Sequence, residues 1–395
     1  MTDTAHWNDR LREVLDDRPV VVVMDVLVGA WGTASQLAEL GVRDLLLVAG
    51  TRGVGELPHH VEADAVLLDV RRGATMMQGI RAWQAALDDL PADAHRHLDR
   101  FDPAGRAWVV GPLFMTQQEV AGRPVLGARP AAWQALEDKT TVDALWDAAA
   151  VPRAPSRLVD LHDPAAVASA ATDLDHGAGT CWVADNSSGW HGGGEYVRWT
   201  GPTGDPTTAV AELAADSRRA RVMPFLEGRP CSVHGWAFDD HVAALRPCEM
   251  VVWRAADHRF VYGGASTVWE PPTADREEMR DVARRVGRHL RDTVGYRGTF
   301  AVDGVLTADG FRPTELNPRF GGALSRVGAG IDLPLYLLHL ATVSRPDLDW
   351  RPRDLEAAVL AAADAHPVGR VMLELPPEAI SGTWRLARDG GGAWV

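Results

Sequence analysis

The 395-residue chain is 46% hydrophobic and 24% charged, the balance of a soluble globular protein with room for two or three domains. Its net charge of −14 argues against non-specific nucleic-acid binding, and no apolar run reaches membrane-spanning length. Cys181, Cys231 and Cys248 show neither metal spacing nor even pairing, and the first six residues lack a basic, apolar signal pattern, so a reduced cytoplasmic setting is expected.

Lysine plus arginine total 40, yet Lys139 is the only lysine, which leaves 40 − 1 = 39 arginines. The skew, with abundant Ala and Gly, is that of GC-rich coding. Against that background a retained lysine is a candidate for a role arginine cannot fill.

In chain order, a short polar helix is expected over residues 7–15. Residues 19–27 are nearly all apolar, the pattern of a parallel strand buried on both faces. A turn through Gly29-Ala30-Trp31-Gly32 should lead to a helix over 33–40, with Gly41 at its C-cap. Strands follow at 44–49, 63–70 and 107–113, with a long helix at 71–90. Such alternation predicts a parallel, doubly wound α/β domain over residues 1–128. Gly29 and Gly32 fall short of the dinucleotide fingerprint, so no nicotinamide site is expected.

Residues 131–150 read as one helix with Ala132, Leu136, Leu145 and Trp146 on its apolar side. It carries Lys139 and ends at Val151-Pro152-Arg153-Ala154-Pro155. A helix over 163–174 and a strand over 180–184 follow. The strand runs into Asp185-Asn186-Ser187-Ser188-Gly189-Trp190-His191-Gly192-Gly193-Gly194, a loop able to wrap backbone N–H groups around phosphate. Residues 221–228 form a strand ending in a turn, and 231–238 pairs with 242–253 around Asp239-Asp240-His241. Arg246, Glu249 and Arg254 lie on or near the second of these strands. Trp182, Trp190, Trp199, Trp236, Trp253 and Trp269 fall in this region, mostly as core. An Arg-rich helix is expected over 276–293.

The densest chemistry follows. Residues 298–306 and 310–315 read as a hairpin about Thr307-Ala308-Asp309-Gly310. Asp303 and Glu315 then lie on adjacent antiparallel strands, and Glu315 and Asn317 share a face. Two carboxylates and a carboxamide oxygen make a hard-oxygen site suited to Mg²⁺ with nucleotide phosphates. Arg319 sits just beyond, where it can meet phosphate oxygens. A small-residue stretch over 321–330, a helix over 331–342, a helix over 355–363 and a strand over 370–374 complete the chain.

Glu315-Leu316-Asn317-Pro318-Arg319-Phe320-Gly321-Gly322, with Asp303 on the preceding strand, resembles the metal-binding signature of the ATP-grasp superfamily. The resemblance covers roughly residues 130–345, and the first domain by architecture alone. It implies a Rossmann-like N-terminal domain followed by an ATP-grasp fold of two α+β subdomains. These would be a lid over 129–220 and a metal and catalytic part over 221–345, with a C-terminal segment over 346–395 of unassigned role. It implies ATP with Mg²⁺ or Mn²⁺ held by Asp303, Glu315 and Asn317. Lys139 would contact phosphates, and Ser187, Ser188, Gly189, Gly192 and Gly193 would close over ATP. Backbone from Met223 through Phe225 to Leu226 would read adenine, with Glu227 on the ribose. Arg319 would neutralise the transferring group, and Arg246 or Arg254 would clamp the substrate carboxylate. The implied reaction joins a small-molecule carboxylate to an amine through an acyl phosphate; a homodimer is compatible with it. The chain departs from the pattern at Ala184-Asp185, where many relatives carry a second phosphate-binding lysine. Arg198, His191 or Arg221 could substitute. The alternative reading is an ATP-binding protein without turnover, with a regulatory or scaffolding role. A variant reading keeps the chemistry and takes bicarbonate or a nucleotide intermediate as substrate.

Overall fold

A computed structural model describes residues 4–53, 61, 63–71, 73, 76–187, 192, 194–255 and 258–371. The chain forms two compact units: Met1–Gln134 with Asp332–Arg351, and Ala135–Ile331 with Pro352–Val395.

In the first unit the apolar run becomes the strand Val20–Val26, and Val20 to Val23 are wholly buried. It pairs in parallel with Leu45–Thr51 on one side and Trp108–Val110 on the other; Asp64–Leu67 extends the sheet beyond Leu45–Thr51. The resulting order, third-second-first-fourth, is that of a doubly wound half. The Gly29–Gly32 segment, expected as a turn, is helical instead: the helix Leu27–Glu39 starts directly after the strand. Leu27, Ala30, Trp31, Ala34 and Leu37 are all buried, so the apolar helical spacing already begins at Leu27. That burial outweighs about 1 kcal/mol of helix cost per glycine. Gly41 follows the helix with φ +98, as its position suggested.

The helix Leu335–Ser344 belongs to this unit. It starts four residues later than expected, because Pro334 supplies its entry rather than its interior. Its Leu340 packs so closely on Gly127 that a Cβ there would come within 2.8 Å of the Leu340 backbone. The Tyr336 hydroxyl donates to the Gly111 carbonyl, and the Trp7 indole to the Trp350 carbonyl at 2.7 Å.

The second unit holds two antiparallel sheets. The smaller runs Arg157–Asp160, Arg219–Pro224, Thr180–Ala184, Val197–Thr200 in spatial order. Trp182, Ala184, Leu213 and Val222 lie in its core. The larger runs Gly310–Asn317, Gly298–Thr307, Arg229–Ala237, Cys248–Arg254, Phe260–Ser266, Gly369–Val371, with Val242–Ala244 also on Arg229–Ala237. The 22-residue helix Thr273–Val294 covers this sheet; Gly287 on the helix and Gly235 on the sheet both make room for the Phe300 ring.

Two expected elements are broken. The helix foreseen over 131–150 is three pieces: Ala131–Gln134, a 3-10 turn Ala135–Glu137, and Val142–Ala148. The break is local chemistry. The Asp138 carboxylate accepts from the Thr140 backbone at 2.9 Å and hydroxyl at 2.6 Å, which turns the chain out of the helix. Lys139 therefore sits in a turn. The strand foreseen over 242–253 is likewise interrupted at Leu245, Arg246 and Pro247, since Pro247 cannot donate to a ladder.

Candidate active site

The hairpin places the site. Asp303 faces Glu315 across the ladder, and Ala301 faces Asn317, with a bulge between Asp303 and Gly304. Thr307 and Gly310 close the turn through the Thr307 hydroxyl, and Gly310 takes φ +99. Asn317 Nδ2 donates to Asp303 Oδ2 at 2.9 Å, and Arg319 donates to Asn317 Oδ1 at 2.7 Å. The 3-10 turn lies on the same hairpin. Glu137, buried, accepts from Arg319 Nε at 3.3 Å, and Lys139 Nζ stands 3.1 Å from Glu315 Oε1. Asp303, Glu315, Asn317, Arg319 and Lys139 are thus brought together. Glu137 escaped the sequence reading; its only signal was its place two residues before the sole lysine.

The electrostatics follow from crowding. Burial first, and the opposed Glu315 second, push Asp303 up to about 7; Arg319 and Lys139 pull it back. Two acidic groups facing each other beside two cations form a donor set for a hard divalent ion, with cations placed for anionic phosphates. Among the described residues no three His, Cys, Asp or Glu side chains converge as a metal group; this set is two carboxylates and a carboxamide.

The other anticipated residues spread more widely. Ser187 donates its backbone N–H, at 3.1 Å, and its hydroxyl to Asp185. Asp185 also accepts from the Arg219 backbone at 2.9 Å. Burial is the largest influence on Asp185 and raises it, but these hydrogen bonds leave it below the ordinary value. Asp185 is therefore turned inward, onto the backbone of Ser187 and Arg219. Ser188, Gly189, Gly193 and His191 lie outside the described residues; Gly192 is buried. Met223 belongs to the smaller sheet opposite Cys181, and the Phe225 N–H is taken by the Gly179 carbonyl at 2.9 Å, so it cannot meet adenine as placed. Leu226 and Glu227 lie between two strands, outside either ladder.

Arg254 caps the Trp199 and Phe225 rings, 4.3 and 5.1 Å from their centroids. Arg246 is buried and bound to Asp364, Glu270 and the Thr267 carbonyl. Eight residues of largely extended chain, roughly 25 Å, separate them, so one carboxylate cannot meet both. Of the other cations considered for phosphate, Arg198 is held by Glu212 at 2.6 Å. Arg221 is wholly buried, 2.7 Å from Asp143, and donates to the Thr314 carbonyl at the site hairpin.

An antiparallel sheet carrying paired acids, beside a Gly-rich loop sheet, is the ATP-grasp arrangement, and residues 193–323 match the family model of the ATP-grasp domain. That match holds Asp303, Glu315, Asn317 and Arg319 and marks this segment as an ATP-grasp domain. The fold of the chain is similar to a biotin carboxylase from Campylobacter jejuni in complex with β,γ-ATP. That likeness has a TM-score of 0.60 at 12% identity, over 85% of this chain and 72% of that one. It is also similar to the biotin carboxylase domain of 2-oxoglutarate carboxylase from Hydrogenobacter thermophilus with MgADP and bicarbonate, at TM-score 0.56 and 12% identity, over 82% and 69%. A carboxyaminoimidazole ribonucleotide synthase from Aspergillus clavatus with ATP gives 0.51 at 14%, over 86% and 79%. No curated protein matches the sequence.

Proposed function

We propose that the chain is an ATP-dependent ligase that joins a carboxylate, an amino acid or small peptide, to an amine. The observation that carries this reading is the Asp303–Glu315 pair with Asn317, flanked by Lys139 and Arg319. The named relatives support it, since their structures hold ATP, ADP or MgADP. Asp303, Glu315 and Asn317 would hold Mg²⁺, which would supply positive charge against the nucleotide phosphates. The segment 129–220 would act as the lid over ATP and 221–345 as its floor.

A substrate carboxylate oxygen attacks the γ-phosphorus, and the bond from that phosphorus to the bridging oxygen breaks, releasing ADP. The amine nitrogen then attacks the acyl carbon; phosphate leaves and the nitrogen loses a proton. Lys139 and Arg319 carry fixed positive charge at the rim of the acids, where negative charge builds on the transferring group. The protein contributes placement and charge, the usual means of phosphoryl transfer.

The test is an ADP-release screen over amino acids and short peptides, with product mass and a carboxylate labelled with ¹⁸O. Label appearing in the released phosphate is the expected result. ADP release with no label in phosphate would exclude the acyl phosphate, and no carboxylate-dependent ADP release would exclude the ligase.

A further inference from the structure

The large sheet has a second polar end. Register carries the face of Glu315 and Asp303 across to Ser232 and Cys248. Next along Cys248–Arg254 on that face come Met250, opposite Ala265, and Val252, opposite Tyr262. Ala265 and Tyr262 are three apart on one strand, yet they share the face, because a bulge between Val251 and Val252 absorbs one residue. Arg370 pairs with Ala265 and so joins the same face. Arg326, on the helical turn Leu324–Val327 after Gly321-Gly322, comes within electrostatic reach of both Tyr262 and Arg370.

Arg246, Arg276, Arg280 and Arg319 each meet a carboxylate. Arg326 and Arg370 have no carboxylate partner among the described residues; Arg326 donates only to the Ser325 hydroxyl. Burial first, and Arg370 second, hold Arg326 below its ordinary value. Tyr262 is 38% exposed beside them.

We infer that Arg326 and Arg370, with Tyr262 as wall, receive the oxyanion of the amine-bearing substrate, a carboxylate or a phosphate. Planar guanidinium groups pair with either, often through two parallel hydrogen bonds. The inference rests on the ligase reading for its substrate, and it narrows the class. Strands stand about 4.8 Å apart and rise about 3.3 Å per residue, so Tyr262, three strands across and four residues along, and Arg370, four strands across and two residues along, are each rooted roughly 20 Å from Asp303. Side chains reaching back leave a span on the order of 10 Å, the size of an amino acid or dipeptide and too long for bicarbonate alone.

The experiment needs no turnover. The chain has only four tyrosines, so 3-fluorotyrosine labelling gives four ¹⁹F signals, and Tyr262→Phe assigns the one required. Wild type, Arg326→Gln and Arg370→Gln are titrated with glycine, glycinamide, inorganic phosphate and sodium chloride. Saturable movement of the Tyr262 signal by glycine and not by glycinamide points to a carboxylate; movement by phosphate alone points to a phosphorylated substrate. Either arginine variant should weaken the response about tenfold or more, as expected for loss of a charge-assisted pair. A signal unmoved by both oxyanions, moved equally by chloride, or unchanged by the arginine variants overturns the inference. Fluorescent ATP binding to the same samples separates the two readings: its loss would count against the ligase and leave the oxyanion site standing on the ¹⁹F result.

Discussion

Under the proposed function Asp303 faces two demands: a metal would need its carboxylate ionised, while burial and the opposed Glu315 keep a proton on it. An ordinary aspartate titrates near 3.9, while here the proton stays up to about 7. The folded chain without metal therefore binds more protons than the unfolded one in that window, and this group makes it less stable as pH rises through it. A divalent ion needs the carboxylate ionised. Affinity for Mn²⁺, measured by calorimetry without nucleotide, should climb about tenfold per pH unit towards pH 7 and then level; a flat profile would remove Asp303 from the ligand set. Glu315→Ala should abolish detectable binding and turnover with the fold intact by circular dichroism. Lys139 acts on the same balance from the other side, because its charge pulls Asp303 down. Lys139→Ala should move the midpoint of metal binding to higher pH. It should also slow turnover by roughly thirty- to thousand-fold, the cost of about 2–4 kcal/mol of lost phosphate stabilisation. Lys139→Arg should restore part of both; an unshifted midpoint with full turnover in Lys139→Ala would take the residue out of the site.

At the scale of elements, short polar turns decide what helical and strand periodicity do not. The Asp138 turn delivers its two neighbours, Glu137 and Lys139, to the hairpin. Asp138→Ala should lower stability by about 1 kcal/mol, the usual loss for such a cap. It should also raise KM for ATP, since the lysine loses its fixed position; a change in stability with KM untouched would make the turn purely structural. The bulge beside Gly264 is a second such device. Gly264 takes φ +138, and a Cβ there would lie 1.9 Å from the Arg370 carbonyl. Gly264→Ala should therefore cost roughly 1–3 kcal/mol of backbone strain, besides the clash with the Gly369–Val371 strand. Thermal unfolding measures the cost, and an unchanged midpoint would show that the strand pairing there contributes nothing.

At the scale of the molecule, the two units interleave along the chain. The first takes back Asp332–Arg351 and the second resumes at Pro352. Leu335, Leu337, Leu338, Leu340 and Ala341 are buried in the returned helix, each worth about 1–3 kcal/mol of apolar burial. A chain ending at residue 331 would leave the first unit without that helix and the large sheet without Gly369–Val371. It should be insoluble or unfold at lower temperature than the full chain in both units, as limited proteolysis and calorimetry would show. Among the described residues no helix is long and apolar enough to cross a membrane.

Much of this was open to a reader of the sequence alone, wherever a local signal dominates. A run of valines can only be a buried strand, and a Thr-Ala-Asp-Gly turn between apolar segments can only pair its flanks. That pairing puts Asp303 and Glu315 on adjacent strands; unbroken register from the turn would set Asp303 against Thr314, and the bulge between Asp303 and Gly304 is what brings it opposite Glu315. The ATP-grasp likeness was legible for the same reason, since its signature lies on one hairpin. What needed tertiary structure were contacts between distant segments. Glu137 meets Arg319 across 182 positions, and Arg246 meets Asp364 across 118. Strand alternation, blind to the bulge, would put Tyr262 on the face away from Ala265. Periodicity reports which side of an element is buried; only packing decides which elements that side meets, and so which charges find partners and which are left for a ligand.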